Sequence, residues 1–174
     1  IAKKVDMLAF AVATGMSQGV LPLIAYNYSA RNYRRMKAAL KVDFLFSFAV
    51  ALVGTVLLFT CAGPIVRAFI DDAETIYYGQ RFQKIICITG PCISVTMLAI
   101  TAFQSAGEKT RPTILSLLRK GGLDIPFMLL LNARYGVNGI VWATPIADLC
   151  AMCAAVLVFV PFWKRLSGQS PQSD

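Results

Sequence analysis

The chain has 174 residues, 57% of them hydrophobic and 15% charged, with 17 Lys and Arg against 9 Asp and Glu for a net charge of +8. Globular domains are about 45–50% apolar and about 25% charged, so this composition excludes an ordinary water-soluble domain. Histidine is absent, which removes His-dependent triads and His zinc ligands, and no enzymatic chemistry is visible.

Five apolar runs lie at about 7–28, 42–62, 82–106, 113–134 and 139–163, each near the ~20 residues that span a hydrocarbon core. They predict an all-α, polytopic membrane helix bundle of about five transmembrane helices over 1–163, with a polar tail at 164–174. The opening "IAKKVDMLAF" has no initiator methionine and no signal-peptide pattern, so the chain reads as part of something longer.

The first run contains "GMSQGVLPLIAYNY". Pro22 lacks an N–H and clashes with the carbonyl of residue 18, which predicts a kink near Gln18. In lipid the freed backbone groups are tolerated only against protein, ordered water or a cavity, so Gln18 and the broken turn are expected to face the bundle interior. Gly15 and Gly19 form a small-xxx-small pair that lets another helix approach. For Gln18 and Asn27 two readings stand, interhelical hydrogen bonding and ligand contact. Met16 and Tyr26 are further cavity candidates.

The next loop, "ARNYRRMKAALK", gathers Arg31, Arg34, Arg35, Lys37 and Lys41. Cations accumulate on the cytoplasmic side, and placing this loop inside also puts Lys109, Arg111, Lys164 and Arg165 inside. The positive charge thus follows membrane topology rather than one continuous nucleic-acid-binding face. In the second run, Asp43 beside Lys41 reads as solvated at the interface, and the Phe and Leu of "VDFLFSFAVALVGTVLLF" read as lipid-facing. The loop "RAFIDDAETIYYGQR", holding Asp71, Asp72 and Glu74, falls outside.

The third run repeats the polar interruptions with Gly90, Pro91, Thr96, Thr101 and Gln104, and interrupted hydrophobic segments point to transporter binding regions. "SAGEKTRP" lacks the spacing of a nucleotide-binding loop. If the protein moves solutes, an ion gradient is therefore the economical driving force. Asp124 and Asp148, in the last two runs, are intramembrane acids and functional candidates by default. Both fall about ten residues from the outer link, so they could face each other and share a proton. The alternative is separate pairing, Asp124 with Lys120 and Asp148 with Thr144 or a neighbouring helix. Five cysteines in apolar spans read as packing rather than disulfides, and Cys150/Cys153 has metal-like spacing without a second pair. Trp142, Phe162 and Trp163 fit interfacial anchoring or packing.

"GMSQGVLPLIAYNYSARNYRRMKAAL" resembles the eighth-helix signature of the multidrug and toxic compound extrusion (MATE) family. "ITAFQSAGEKTRPTILSLLRKGGLDIP" resembles that family's tenth-to-eleventh helix region, and "YGVNGIVWATPIAD" its entry into the twelfth, with the MepA-like bacterial branch most resembled. The resemblance implies the C-terminal six-helix lobe without its first helix, in a bacterial inner membrane, with a cytoplasmic C-terminus and a missing N-terminal lobe as partner. It implies efflux of small organic, often cationic, compounds in exchange for protons or sodium ions, without another cofactor. Gln18, Pro22 and Asn27 match the eighth-helix motif, Gln104 the end of the tenth, Arg119 and Pro126 the eleventh, and Pro145 and Asp148 the twelfth. Arg119 is expected to organise packing. The sodium-coupled members carry acids in the seventh and tenth helices; the tenth-like run here has none, which leaves the ion open. Alternatives are a lipid-linked intermediate flippase of related architecture and a truncated, non-transporting fragment.

Overall fold

The computed structural model describes residues 2–68 and 72–168, and the side chains of these except 2–10, 12, 13, 73, 74, 120 and 137. Asp71 and tail residues 169–174 lie outside the described residues, as do the side chains of Glu74 and Lys120. Helices and turns account for the described residues, and no strand occurs among them. The helices are α1 (Ala2–Ser29), α2 (Tyr33–Thr60), the short α3 (Ala62–Arg67), α4 (Ala73–Cys87), α5 (Gly90–Ser105), α6 (Thr110–Leu117) and α7 (Asp124–Gly168), with a π-helical segment, Leu118–Leu123, joining α6 to α7. Tyr33–Thr60, Thr75–Ser105 and Asn138–Gly168 are each long and apolar enough to cross a membrane.

The α1–α2 turn is closed by local chemistry. Asn27 Nδ2 donates to the Leu23 carbonyl at 2.8 Å, the Asn27 carbonyl accepts from the Asn32 amide at 2.9 Å, and Arg31 takes the left-handed conformation (φ 57°). Asn32 then caps α2 by accepting from the Arg35 amide at 3.2 Å, satisfying one of the donors a helix start leaves open. On the other side of the bundle Asp72 caps α4. The hydroxyl and the amide of Thr75 both donate to its carboxylate and hold it below the usual carboxylate range. A depressed pKa means that this cap is intact above the ordinary carboxylate range and is lost only as pH falls through the lowered value.

α5 is the central helix: Ile93, Ser94, Thr96, Ala99, Ile100, Thr101, Ala102, Phe103 and Ser105 are all buried. Around it α1, α2 and α7 supply Ile24, Met36, Leu40, Ala155, Phe162 and Leu166 to one apolar core, with the Phe103 and Phe162 rings 5.0 Å apart. α2 buries one stripe only, Met36, Leu40, Asp43, Ser47 and Ala51, the i, i+4, i+7, i+11, i+15 register of a single helix face. Leu45, Phe46, Leu52, Val53, Val56 and Leu57 stand exposed on its other side. So much unbroken apolar surface is tolerated by hydrocarbon, not by water.

Two proline effects shape the later spans. Pro91 has no amide to bond Cys87, and the third span breaks at Ile88 and Thr89 before restarting as α5. Pro126 cannot bond Gly122, and the wide-turned segment Leu118–Leu123 lies immediately before α7 at that point. α7 itself folds back on itself at Gly136 (φ 58°, ψ −144°) into arms 124–135 and 137–168. In the returning arm a Cβ on Gly139 would sit on the Leu131 carbonyl oxygen, whereas one on Gly15 meets nothing within 4 Å. Gly139→Ala is therefore expected to cost about 1–3 kcal/mol through backbone displacement, seen as a lower unfolding temperature in detergent. Gly15→Ala should leave that temperature unchanged.

Candidate functional site

The motif residues of α1 divide between two helix faces. Gly15, Gln18, Gly19, Pro22 and Tyr26 are all exposed, at the i, i+3, i+4, i+7, i+11 spacing that makes one stripe. Tyr26 is 73% exposed. Ser17, Ile24 and Asn27 are buried on the packed side, and Met16 is half-buried. Of the partners expected for Gln18 and the proline turn, protein, water or a cavity, the described helices of this chain supply none. Both stand on an open face of this bundle, because the 100° step per residue hands the packed side to Ser17. Likewise no atom of the described residues comes within 4 Å of where a Cβ on Gly15 or Gly19 would stand. Asn27 spends its amide on the Leu23 carbonyl, so it closes the helix end.

Gln104 ends α5 exposed. It lines an open cleft of about 800 Å³ with Gly107, Glu108, Lys109, Pro112, Thr113 and Ser116. Beside it Arg111 bonds Glu108 at 3.2 Å and lies over the Phe103 ring at 5.3 Å. Lys37 Nζ bonds Ser167 Oγ at 3.3 Å, which puts the basic α1–α2 loop and the end of α7 at the same end of the bundle.

The two intramembrane acids lie on opposite arms of α7. Arg119 Nε donates to Asp148 Oδ1 at 2.8 Å, with both side chains below a tenth exposed. Thr89 Oγ1 donates to Asp148 Oδ2 at 3.4 Å. Asp124 Oδ1 instead accepts from Thr144 at 3.2 Å, one turn from Asp148 on the returning arm. The proline break delivers Thr89 to this spot, and the π-helical segment carries Arg119 to it; such widened turns recur where a side chain must be re-aimed. Pro145 is buried beside the pair on the same arm, and Pro126 is exposed on the first arm. The five cysteines are free, and no metal-competent cluster occurs among the described residues.

The expectation that Asp43 is solvated is corrected by its burial. Asp43 is 3% exposed, between α1 and α2, with Ser17 Oγ 3.3 Å from both carboxylate oxygens and Ser47 Oγ 3.5 Å from one. Helix α2 begins at Tyr33, so at ~1.5 Å per residue Asp43 stands roughly 15 Å along it, at the start of its apolar run and just past Lys41. The available signal was register: Asp43 shares its stripe with Met36, Leu40, Ser47 and Ala51. A second residue that the apolar pattern does not single out is Gln83, fully buried with Nε2 3.1 Å from Cys87 Sγ and its Oε1 without a partner.

The model of the family described as MatE matches residues 1–130. The chain belongs to the MatE family. Among curated proteins it is similar to the multidrug export protein MepA of Staphylococcus aureus strain MSSA476, 29% identical over 150 residues, covering 86% of this chain and 33% of that protein. The MepA of Staphylococcus saprophyticus matches with the same identity and coverage. The chain thus spans about a third of the length of these relatives. Among solved structures, that of the MATE multidrug transporter DinF-BH superposes with a TM-score of 0.84 at 27% identity, over 90% of this chain and 35% of that one. A MATE crystallised with MaL6 gives 0.88 at 16% identity, over 97% and 38%, a likeness of fold. The fold is accordingly an all-α membrane helix bundle of the MATE type.

Removing one partner of the buried ion pair leaves the other charge uncompensated. Asp148→Asn is expected to cost about 3–5 kcal/mol, measured as a lower unfolding temperature and yield, while Arg119→Met with Asp148→Leu recovers most of the loss.

Proposed function

We propose that this chain forms part of a secondary active multidrug antiporter, one lobe that encloses a cavity together with a second lobe. The observation that carries this reading is the stripe Gly15, Gln18, Gly19, Pro22 and Tyr26, exposed while the motif residues Asn27, Arg119 and Asp148 are paired internally. A polar helix face interrupted by a proline is stable in a membrane only against protein or water, and a central cavity supplies both. Small organic, often cationic, compounds are the expected cargo. Tyr26 offers an aromatic face to a cation, Gln18 a donor and acceptor, and the Gln104 cleft a route at the end of the bundle that carries the basic loops.

Export is driven by exchange for protons or sodium ions, with the lobes rocking about the cavity so that it opens to each side in turn. Structures described as outward-facing and inward-facing multidrug-resistance MATE transporters share this fold, which supports such a cycle. The clustering of Lys37 with the end of α7 agrees with a bundle over 1–163, a cytoplasmic tail over 164–174, and a bacterial inner membrane as its site. Arg119 with Asp148 serves packing, and Asp124 is held ready for a coupling role beside Thr144.

In cells carrying the complete gene, retention of a cationic dye is expected to fall, and Gln18→Ala is expected to reduce export about tenfold, a loss of roughly 1.4 kcal/mol of transition-state stabilisation. Unchanged dye retention would favour the flippase alternative. The 174 residues reconstituted alone should move no dye, as expected of a chain covering a third of its relatives.

A further inference from the structure

Helices α2 and α7 both pack on α5 but hardly on each other, and the gap between them is an open-sided groove. Lys41 of α2 and Lys164 of α7 stand on it, over a floor of Leu98 from α5 and Phe159, Val160 and Trp163 from α7. Its volume is about 310 Å³, at the lower end of the roughly 300–1,000 Å³ of ligand pockets, so it seats one segment of an occupant that continues outside it. Both lysines are exposed, and among the described residues neither is paired with a carboxylate. Asp43 lies about 200° round α2 from Lys41 and bonds Ser17 and Ser47 instead.

The two helices that wall the groove show what it opens to. Lys41 heads the stripe Leu45, Leu52 and Val56 on α2, at i+4, i+11 and i+15, and Lys164 heads Val160, Leu157 and Leu149 on α7, at i−4, i−7 and i−15; all six apolar residues are exposed. Such stripes face hydrocarbon. Lys37 meets Ser167 at the end of the bundle, and Lys41 and Lys164 each lie about one turn inward from that contact. The floor continues inward to Phe159 and Val160, past the level of the charges.

A single lysine in this position snorkels, covering apolar surface with its stem while its head stays wet. Two lysines from separate helices on one apolar slot have instead the chemistry of a receptor for an amphiphile, an anionic head over a hydrocarbon tail. Cationic cargo is repelled there. An ammonium group is a phosphate binder, and by the cation rule this end faces the cytoplasm, whose leaflet presents anionic lipid to lysines near the membrane surface.

We propose that this groove binds an anionic phospholipid of the phosphatidylglycerol kind, its phosphate between Lys41 and Lys164 and one acyl chain over Leu98, Phe159 and Val160. Trp163, its ring 5.6 Å from that of Phe159, walls the site at the headgroup level, where indoles accumulate. The lipid fills the gap between α2 and α7 and ties both to α5. The site does not depend on the antiport reading.

The test titrates the complete gene product, purified in neutral detergent, with dioleoyl phosphatidylglycerol or dioleoyl phosphatidylcholine and counts bound lipid by native mass spectrometry. Each lysine is worth about fivefold near an anionic group, so phosphatidylglycerol is expected to bind roughly twentyfold tighter than phosphatidylcholine. Lys41→Gln with Lys164→Gln should bring the two lipids within about twofold without changing the unfolding temperature in lipid-free detergent, and Lys41→Arg with Lys164→Arg should keep the preference. Arg35→Gln with Lys109→Gln, which removes equal charge outside the groove, should also keep it. Val160→Trp, which fills the floor, should weaken phosphatidylglycerol severalfold with both lysines in place. A preference that survives loss of Lys41 and Lys164, or that falls equally with Arg35 and Lys109, would overturn the site. So would competition by inorganic phosphate, the mark of a free-anion site, or displacement of the lipid by a cationic dye, the mark of a cargo groove.

Discussion

A buried ion pair in an apolar bundle, Arg119 to Asp148 at 2.8 Å, organises the half of the structure built from the last three spans. Neither charge is tolerable there alone, since desolvation costs several kcal/mol per ion and only close geometry with further hydrogen bonds offsets it. The third span therefore breaks to present Thr89, the fourth widens into a π-helical segment to present Arg119, and α7 reverses at Gly136 so that its second arm runs back past them. The irregularities of the backbone and the pairing of the charges are one constraint seen from two sides.

The same rule divides the polar residues by role. Those satisfied within the chain, such as Asn27 on Leu23 and Arg119 on Asp148, hold helices in place. Others, Gln18 and Gln104 above all, stand on open faces of the bundle. Asp43 belongs to the first group. It is an acid beside a lysine in the sequence, yet it is enclosed by this chain and accepts from the hydroxyls of Ser17 and Ser47.

Membrane helices expose apolar surface outward, so the usual inside-outside rule gives little help with positions. That is why α2 was legible as a span and Asp43 was not legible as buried. An acid two residues from a lysine near the start of an apolar run looks solvated until its face of α2 is seen to pack against Ser17 of α1. Gln83 escaped notice for a related reason: it lies in the polar part of α4, and its burial depends on how neighbouring helices cover it.

By itself the sequence determined the all-α membrane class, the segments that form helices, the prolines that interrupt them and, through ordered motifs, the family. Those properties depend on local composition and on spacing along one chain, which hydrocarbon thickness and proline chemistry convert directly into structure. Only the tertiary structure decided that Arg119 rather than a second acid meets Asp148, that Gln18 turns outward while Ser17 turns inward, and that Asp43 is buried against Ser17 and Ser47. Those outcomes depend on the rotation and depth of each helix against the others, and a difference of 100° or a few residues of register reassigns a side chain from lipid to core.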